Sequence, residues 1–534
     1  MNPTQRLSAN ISPDLLRQQQ LMDALCARGY FSRNPKVKET HISWVLLTGP
    51  DAYKIKKAVD LGFLDFCTLE ARHFYCTEEL RLNRRLAPDF YLDVVAIGGT
   101  PEQPVLGEEP AIEYAIHMRR FAQSSLMDRM LAHGGVTHAH IDKLAAVIAN
   151  FHTALPPAAA DSPFCSTAAI QTAALQNFER LPQLFGAPGD LTMLEAVREA
   201  SEREFAACEP LFRQRAAAGC VRECHGDLHL GNIVLLNDLP TPFDCIEFST
   251  TLRWIDVISE ISFTVMDLLQ RDRPHLAWRL LNAYLENTGD YQGCSVLRFY
   301  LAYRAMVRAK IAAIRASQRS VAKARHELKS CRSYLGLAHD CLTHRRPALI
   351  ITHGLPGCGK STFAQIALER LGAIRIRSDV ERKRLFGLTA LADSNSQIDA
   401  GIYSEDATRR TYAHLHELAR DVIAAGFPVI VDAAFLRYAE RESFRALAQE
   451  MAAPFVIAGL QTDAAVLAER LAQRNSRGND ASEANIAVFE KLKVAQEPLR
   501  DDELIATVTF INKGDVDALR SAVEGWKSLE AHLA

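Results

Sequence analysis

The clearest chemical signature in the chain is a glycine-rich loop, residues 354–361, whose letters GLPGCGKS follow the spacing GxxxxGK[ST]. Glycines let the backbone curl so that successive N–H groups face a phosphate, and the helix that follows adds its positive N-terminal end. Lys360 would reach the β- and γ-phosphates, and Ser361 would hold magnesium. The pattern therefore predicts an ATP-binding loop made by Gly354, Gly357, Gly359, Lys360, Ser361 and Thr362.

Two acidic residues behind this loop could serve phosphoryl transfer. Asp379 follows a strand-like run, and its carboxylate could accept the proton of an attacking hydroxyl. Arg382, one helical turn further on, could hold an anionic part of the acceptor. Asp432 ends the apolar run VIVD and suits a magnesium-organising carboxylate at the end of a strand. The alternative for both aspartates is a capping or turn role.

The arginines of ERLAQRNSRGNDAS (469–482) form a third group. Arg474 and Arg477, with Arg470 before them, could close as a lid over the charge of the transferring phosphoryl group. A solvated helix face explains the same spacing.

Residues 346–534 resemble the family of small P-loop kinases that includes polynucleotide 5′-kinases and zeta-type toxins. The matching letters are GLPGCGKST, the pair Asp379 and Arg382, and VIVDA. The resemblance implies that Asp379 is the general base and that Arg382 anchors the substrate. It does not imply an acceptor.

A second constellation lies at residues 224–235, CHGDLHLGNIVL. Asp227 in this loop could orient and deprotonate a hydroxyl, while Asn232, five residues on, ligates a metal bound to nucleotide phosphates. Glu247 on the next strand would supply a second metal ligand, and His225 would help to shape the loop.

This second pattern is similar to the aminoglycoside phosphotransferase family, which has a protein-kinase-like fold of two lobes, and the similarity covers most of residues 40–340. It implies that Asp227 is the catalytic aspartate and Asn232 the metal-binding asparagine. Glu247 stands where that family usually has aspartate, so the charge is kept on a longer side chain. Asp256 and Glu260 match a downstream acidic pair that is expected to brace the loop.

In such a fold a lysine of an early strand pairs with a glutamate of the following helix. The run YKIK (53–56) resembles that strand, so Lys56 is the predicted nucleotide lysine, with Lys54 on the same face as the fallback. Glu79 is its predicted partner, and Glu78 is the alternative. A lysine-rich strand edge can also simply guard against aggregation.

The elements that must position these residues divide the chain in two. Strand-like runs and one helical segment predict a small lobe over about 1–120, and helical spacing continues over about 121–345. After residue 346, strand-like runs alternate with helical stretches, which is typical of a parallel sheet covered by helices. The predicted fold class is an α+β protein-kinase-like (aminoglycoside phosphotransferase-type) two-lobed domain, 1–345, followed by an α/β P-loop NTPase domain with a parallel sheet, 346–534.

Composition excludes several other classes of protein. Of 534 residues, 48% are hydrophobic and 23% charged, a mixture that excludes a disordered or fibrous chain. A net charge of -3 does not indicate a bulk nucleic-acid surface. No apolar run is long enough to span a bilayer, the first residues lack a signal-peptide layout, and the twelve cysteines are scattered. These features predict reduced cysteines in a cytoplasmic protein without a membrane partner.

Residues 303–332 form a basic helical stretch with one acid, Glu327. A surface for RNA or another acidic partner is one interpretation. A helix whose Ala, Ile and Val side chains pack inward is the favoured one.

Together these patterns predict two ATP sites that use Mg²⁺ and transfer the γ-phosphoryl group to hydroxyl acceptors. The acceptor is a small molecule for the first domain and is not indicated for the second. The combination resembles bifunctional aminoglycoside phosphotransferase/ATP-binding fusion proteins. Two alternatives remain: a polynucleotide-type kinase, with nucleic acid possible but not favoured, and a nucleotide-regulated protein whose first domain is a non-catalytic ATP-binding module.

Overall fold

The computed structural model describes residues 12–27, 35–62, 64–179, 181–183, 185, 188–318, 320–394, 401–463, 466, 467, 470, 486–512 and 516–533. The chain divides into two compact units. Unit one lies within residues 1–165 and 215–260, and unit two lies within 166–214 and 261–534.

The helices and strands are numbered along the chain. The strands are β1 (Lys36–Glu39), β2 (Ser43–Thr48), β3 (Asp51–Lys56), β4 (Tyr91–Thr100), β5 (Gln103–Leu106), β6 (Glu113–Arg119), β7 (Val221–Glu223), β8 (Ile233–Leu236), β9 (Leu239–Pro242), β10 (Trp254–Asp256), β11 (Ala348–His353), β12 (Ile374–Arg377), β13 (Pro428–Asp432), β14 (Phe455–Gln461) and β15 (Thr507–Ile511). The helices of the first half are α1 (Pro13–Ala27), α2 (Leu69–Asn83), α3 (Met127–Ala132), α4 (His138–Ala154), α5 (Thr167–Leu175), α6 (Pro188–Ala217), α7 (Thr250–Arg253), α8 (Val257–Gln270), α9 (Pro274–Thr288), α10 (Cys294–Ser317) and α11 (Val321–Thr343). Those of the second half are α12 (Lys360–Leu371), α13 (Ser378–Leu385), α14 (Glu405–Ala424), α15 (Tyr438–Glu450), α16 (Ile486–Ala495), α17 (Asp501–Leu504), α18 (Val516–Arg520) and α19 (Val523–Leu533).

Unit one contains an antiparallel sheet with the strand order β1-β2-β3-β6-β4-β5. Alternation of side chains along β3 explains how both faces of this sheet are covered. Ile55 packs into a core with Leu21 and Leu25 of α1, while Ala52, which lies on the opposite face of the strand, packs with Cys76 of α2. The sheet therefore fixes α2, which carries Glu79, against the strand that carries Lys54 and Lys56.

Unit two contains a parallel sheet with the order β12-β13-β11-β14-β15. Every residue of the central strand β11 is buried, as expected when helices cover both faces of a parallel sheet. Trp526 of α19 stacks on Phe363 of α12, with ring centroids 5.3 Å apart, so the last helix supports the helix that follows the glycine-rich loop. The predicted parallel sheet and the fold class as a whole are confirmed.

The basic stretch 303–332 forms parts of two packed helices, α10 and α11, which are separated near Ser320. Ala305, Met306 and Ala309 are buried on α10, and the guanidinium of Arg304 lies 4.9 Å from the ring centroid of Phe263. This packing favours the interpretation of a helix with an inward apolar face, although the structure has two helices where one was expected.

Some elements differ from the sequence expectation. Helix α2 ends at Asn83, before Pro88, and the 15-residue helix α1 and the four-residue strands β1 and β5 were not among the predicted elements. All twelve cysteines are free thiols. Among the described residues, no helix has the length and apolarity needed to cross a bilayer. The domain boundary after residue 345 stays a prediction, since unit two also includes the helices that precede it.

Candidate functional site

The loop between β7 and β8 brings two predicted residues of the first domain into contact. Asn232 Nδ2 donates to the carboxylate Oδ2 of Asp227 at 3.1 Å and to the backbone oxygen of Asp227 at 3.0 Å. His229 Nε2 lies 3.6 Å from the same Asp227 Oδ2. The Asp227 side chain is 34% exposed, so its carboxylate is oriented by the loop and still open to an acceptor.

A buried carboxylate holds this loop from beneath. Glu260 Oε1 accepts a hydrogen bond from the N–H of His225 at 2.6 Å, and its Oε2 accepts from the N–H of Gly226 at 3.1 Å. Gly226 has φ of +91°, and a Cβ there would lie 2.9 Å from the backbone oxygen of Leu252. Asp256, the other acid of the predicted pair, accepts from Arg215 Nε at 2.7 Å. Glu260 thus contacts the loop that it was expected to brace, whereas Asp256 binds Arg215 of α6 and not the loop itself.

The predicted strand lysines both contact the predicted helix glutamate. Lys54 Nζ lies 2.7 Å from Glu79 Oε1, and Lys56 Nζ lies 2.6 Å from Glu79 Oε2. Lys54 also donates to Asp244 Oδ1 at 2.6 Å, and Lys56 forms a short ion pair with Glu247. The alternative partner, Glu78, is engaged with Arg81 and Arg253 instead.

The pKa shifts in this cluster follow from burial and opposite charge. Burial alone would lower the pKa of the Lys54 ammonium, but Asp244 and Glu79 outweigh it and hold that pKa well above its ordinary value. Burial raises the pKa of Glu247, and the Lys56 ammonium opposes that rise. Sequence reasoning missed Asp244, although an acid three residues before Glu247 in FDCIEF was a usable signal.

Behind the same loop, His152, Cys224 and Glu260 form a buried group whose candidate ligand atoms lie within 4.8 Å of one another. The carboxylate oxygens of Glu260 are already used by backbone N–H groups of the loop. Burial, followed by the nearby charge of Arg222, lowers the pKa of His152 to about 3. The imidazole of His152 is therefore neutral at physiological pH.

In unit two, the glycine-rich loop joins β11 to α12 as predicted. Gly354, Gly357 and Gly359 have φ of +145°, +83° and +100°, conformations that favour glycine. Lys360 Nζ donates to the backbone oxygens of Gly354 at 2.9 Å and of Leu355 at 3.0 Å. The lysine thus lies over its own loop, and Ser361 and Thr362 follow it in the first turn of α12.

Two residues from distant segments contact this loop, and one of them, Asn512, was not predicted from the sequence. Asn512 Nδ2 donates to the backbone oxygen of Cys358 at 3.0 Å. Arg470 Nη1 donates to the backbone oxygen of Gly357 at 3.1 Å, and its Nη2 donates to Asn512 Oδ1 at 3.1 Å. Arg470 belongs to the arginine group noted in the sequence, but nothing local marks Asn512. The predicted lid residues Arg474 and Arg477 lie outside the described residues.

The other predicted residues of the P-loop domain lie at the carboxyl ends of strands. Asp379 is half-buried in the first turn of α13, where Arg377 rather than Asp379 occupies the N-cap position. Arg382, 7% exposed, donates from Nη1 to the backbone oxygen of Ile402 at 2.8 Å and to Thr408 Oγ1 at 3.1 Å. Asp432 ends β13, directly opposite Arg377 of β12 in the sheet register.

The donor atoms in both places fit a hard divalent cation. Magnesium prefers oxygen ligands such as carboxylates, amide oxygens and hydroxyls. Asn232 uses its amide nitrogen toward Asp227, which directs its amide oxygen away from that contact. Asp432 is buried, and its carboxylate faces a cation, Arg377 Nε, at 3.8 Å.

Comparison with known proteins identifies relatives of the whole chain. The uncharacterized protein Rv2004c of Mycobacterium tuberculosis (strain ATCC 25618 / H37Rv) is 31% identical over 453 residues, which cover 84% of this chain and 87% of the relative. The uncharacterized protein Mb2027c of Mycobacterium bovis matches to the same extent. The chain belongs to the family of these mycobacterial proteins. Residues 349–499 also match the family model described as an AAA domain.

Solved structures resemble each part of the chain separately. A GDP complex of aminoglycoside 2'-phosphotransferase-IIIa covers 60% of this chain and 98% of its own length, at 12% identity and a TM-score of 0.37. A putative kinase from Chloroflexus aurantiacus covers 36% of this chain and all of its own length, at 19% identity and a TM-score of 0.28. Both scores lie below 0.5, so the fold assignment rests on the strand orders and loops described above and on the AAA-domain match.

The glycine-rich loop, the five-stranded parallel sheet and the AAA-domain match together confirm the P-loop part of the predicted combination. The antiparallel sheet, with its two lysines paired to a helix glutamate, agrees with the predicted protein-kinase-like first part.

The neutral, buried His152 predicts a specific dependence of stability on pH. Between pH 6.5 and about 3 this imidazole binds a proton in the unfolded chain but not in the folded one. Because of this group, the free energy of unfolding should fall by about 1 kcal/mol between pH 6.5 and 5.5, and by about 1.4 kcal/mol for each further pH unit down to about pH 3. In urea titrations at pH 6.5 and 5.5, His152→Gln should lose less stability than wild type over that step. Exposed His326→Gln is the matched control, and equal losses for wild type and His152→Gln would contradict the expectation.

The geometry of Gly359 predicts that any side chain there disturbs the loop. A Cβ at this residue would overlap the amide of Asn512, and φ of +100° is strained for other residues. Gly359→Ala should weaken the binding of a fluorescent ATP analogue to the P-loop by about tenfold or more. Gly336→Ala in α11, where an added Cβ meets no atom within 4 Å, is the control. Unchanged affinity in Gly359→Ala would show that the loop does not bind nucleotide in this conformation.

Proposed function

We propose that the chain is an ATP-dependent phosphotransferase with two nucleotide sites, each transferring the γ-phosphoryl group to a hydroxyl acceptor. The first domain, residues 1–345, acts on a small molecule, and the second, residues 346–534, acts on an acceptor that is not identified. The observation that carries the proposal is the oriented, solvent-open carboxylate of Asp227, which accepts a hydrogen bond from Asn232. We also propose a cytoplasmic location for the enzyme.

In the first domain, Asp227 orients the acceptor hydroxyl and takes its proton as the new O–P bond forms. Lys56, with Lys54 beside it, contacts the nucleotide phosphates, and Glu79 holds both ammonium groups in place. Because Glu260 braces the backbone of the loop, the carboxylate is preorganised before substrate binds.

In the second domain, the loop that begins at Gly354 surrounds the phosphates with the backbone N–H groups of Gly357 and Gly359, and Lys360 exchanges its two backbone acceptors for phosphate oxygens. Asp379 takes the proton of the acceptor hydroxyl. Arg382 shapes the acceptor side through its bonds to Ile402 and Thr408, and Arg474 and Arg477 close over the transferring group.

Magnesium would be held by Asn232 and Glu247 in the first domain and by Ser361 and Asp432 in the second. When bound, it neutralises charge on the phosphate oxygens.

One observation favours a second candidate function, in which the first domain binds nucleotide without transferring phosphate. Glu247 forms a short ion pair with Lys56. In this arrangement the proposed metal ligand is bonded to the proposed nucleotide contact, and neither is free for its proposed partner. The polynucleotide-type alternative gains no such support, since Arg304 of the basic stretch is buried against Phe263 and Arg332 pairs with Asp190 at 2.8 Å.

The test is transfer of labelled γ-phosphate from ATP into a panel of sugars, aminoglycosides, nucleosides and oligonucleotides, with and without magnesium. Asp227→Ala should reduce one labelled product by about 100-fold or more, since a positioned base supplies that much. Lys360→Ala should reduce a different product by a similar factor, because its charge acts on the transferring group. Exposed Asp161→Ala and Lys323→Ala are the matched controls.

The pattern of losses separates the candidates. If only Lys360→Ala reduces transfer, the first domain is the non-catalytic nucleotide module. If labelled oligonucleotide is the main product and its binding weakens steeply with salt, the polynucleotide alternative is correct. If no acceptor is labelled by wild type, the proposed transfer activity is wrong for this panel of hydroxyl compounds.

A further inference from the structure

Helix α9, which precedes the P-loop segment in sequence, lies along the edge strand β12 within unit two. Asn282 Nδ2 donates to the backbone oxygen of Ala373 at 2.9 Å, and its Oδ1 accepts from the N–H of Arg375 at 2.6 Å. β12 is the terminal strand of its sheet, so these backbone groups face away from β13. Asn282 is 3% exposed and satisfies them as a neighbouring strand would.

The same helix contacts the elements on either side of β12. Arg279 Nη1 pairs with Glu369 of α12 at 2.7 Å. Gly372, with φ of +68°, leaves room for the ring of Trp278, which would lie 2.9 Å from a Cβ there. At the other end of α9, Arg384 Nη2 of α13 donates to the backbone oxygen of Glu286 at 2.6 Å. α9 thus contacts both the helix after the glycine-rich loop and the helix that carries Asp379.

Glu286 is the charged centre of this contact. Its Oε2 accepts from Arg375 Nη2 at 2.8 Å, and its Oε1 accepts from Arg377 Nη1 at 2.9 Å. Burial alone would raise the pKa of this carboxyl, but the two guanidinium groups outweigh it and lower the pKa. Glu286 is therefore ionised and shared between two arginines of one strand.

Arg377 connects this pair to the proposed metal carboxylate. Its Nε lies 3.8 Å from Asp432 Oδ2, while its Nη1 is held by Glu286. A guanidinium released from Glu286 would still lie next to the Asp432 carboxylate and could move closer to it. Arg377 and a divalent cation would then compete for the same oxygens.

We propose that Glu286 is a positioning residue of the P-loop site, holding Arg377 so that the carboxylate of Asp432 remains available to the magnesium–nucleotide complex. This inference rests on the proposed function of the P-loop domain and deepens it. Glu286 lies about 60 positions before residue 346, where the sequence pattern places the start of the P-loop domain. The P-loop site therefore depends on a residue outside that segment. Since Arg377 is the N-cap residue of α13, the same contact fixes the start of the helix that carries Asp379.

The test measures equilibrium binding of a fluorescent ATP analogue to the full-length protein over a range of magnesium concentrations. Subtracting the signal of the same variant carrying Lys360→Ala isolates the P-loop site from the first domain. Glu286→Gln should raise the magnesium concentration at half-maximal binding about tenfold, the equivalent of one charged hydrogen bond. Glu286→Asp, which keeps the charge, should fall between Glu286→Gln and wild type.

A suppressor variant makes the mechanism specific. Adding Arg377→Gln to Glu286→Gln removes the competing guanidinium and should return the magnesium dependence toward the wild-type value. Glu286→Gln alone removes one contact of Arg377 and could fold poorly for that reason. The double variant still tests the proposal in that case. Glu524→Gln, whose side chain is 92% exposed, is the control for loss of one negative charge.

The outcomes distinguish the positioning role of Glu286 from the proposed function of the P-loop domain. Unchanged magnesium dependence in folded Glu286→Gln, or failure of Arg377→Gln to restore it, overturns the positioning role and leaves the P-loop function standing. Absence of any Lys360-dependent nucleotide binding in wild type overturns the P-loop function itself, and the role of Glu286 with it.

Discussion

Charges that are withdrawn from water must be paired, and both candidate sites are organised around such pairs. In unit one, Glu79 is fully buried and holds Lys54 and Lys56, which in turn contact Asp244 and Glu247. An unpaired ammonium at this depth would be strongly destabilising, so each member requires the others. The helix, the strand and the loop that carry these residues are therefore fixed relative to one another by charge as well as by apolar packing.

Buried backbone N–H and C=O groups are likewise paired, with side chains as their hydrogen-bond partners. Glu260 accepts from two N–H groups of the loop that carries Asp227, and Asn282 bonds to backbone groups on the side of β12 that no other strand pairs with. A loop whose backbone is fixed by hydrogen bonds presents its side chains in a defined direction, even where those side chains are partly exposed. This explains how Asp227 can be well oriented while about a third of its surface remains exposed.

Much of the architecture was predictable from local patterns. Alternating and apolar runs located most of the main strands, and the spacing of GLPGCGKS predicted a loop whose three glycines do have positive φ. The missed strands β1 and β5 are only four residues long, too short to show a period, whereas the helical spacing of Leu21, Met22 and Leu25 in α1 was a usable signal. The choice between Lys54 and Lys56 was open because alternate residues of a strand share a face, and the structure places both against Glu79. The roles of these site residues stay predictions.

The sequence by itself located the two loops that carry the candidate site residues, because a phosphate loop and an HGD loop are short stretches whose spacing is visible in the sequence. The tertiary structure alone decided which distant charges meet. Lys54 and Asp244 are 190 positions apart, and Glu286 and Arg377 are 91 apart, yet each pair is in contact. No local spacing encodes such pairs, since they form only when apolar packing brings separate elements together and removes much of the water around their charges.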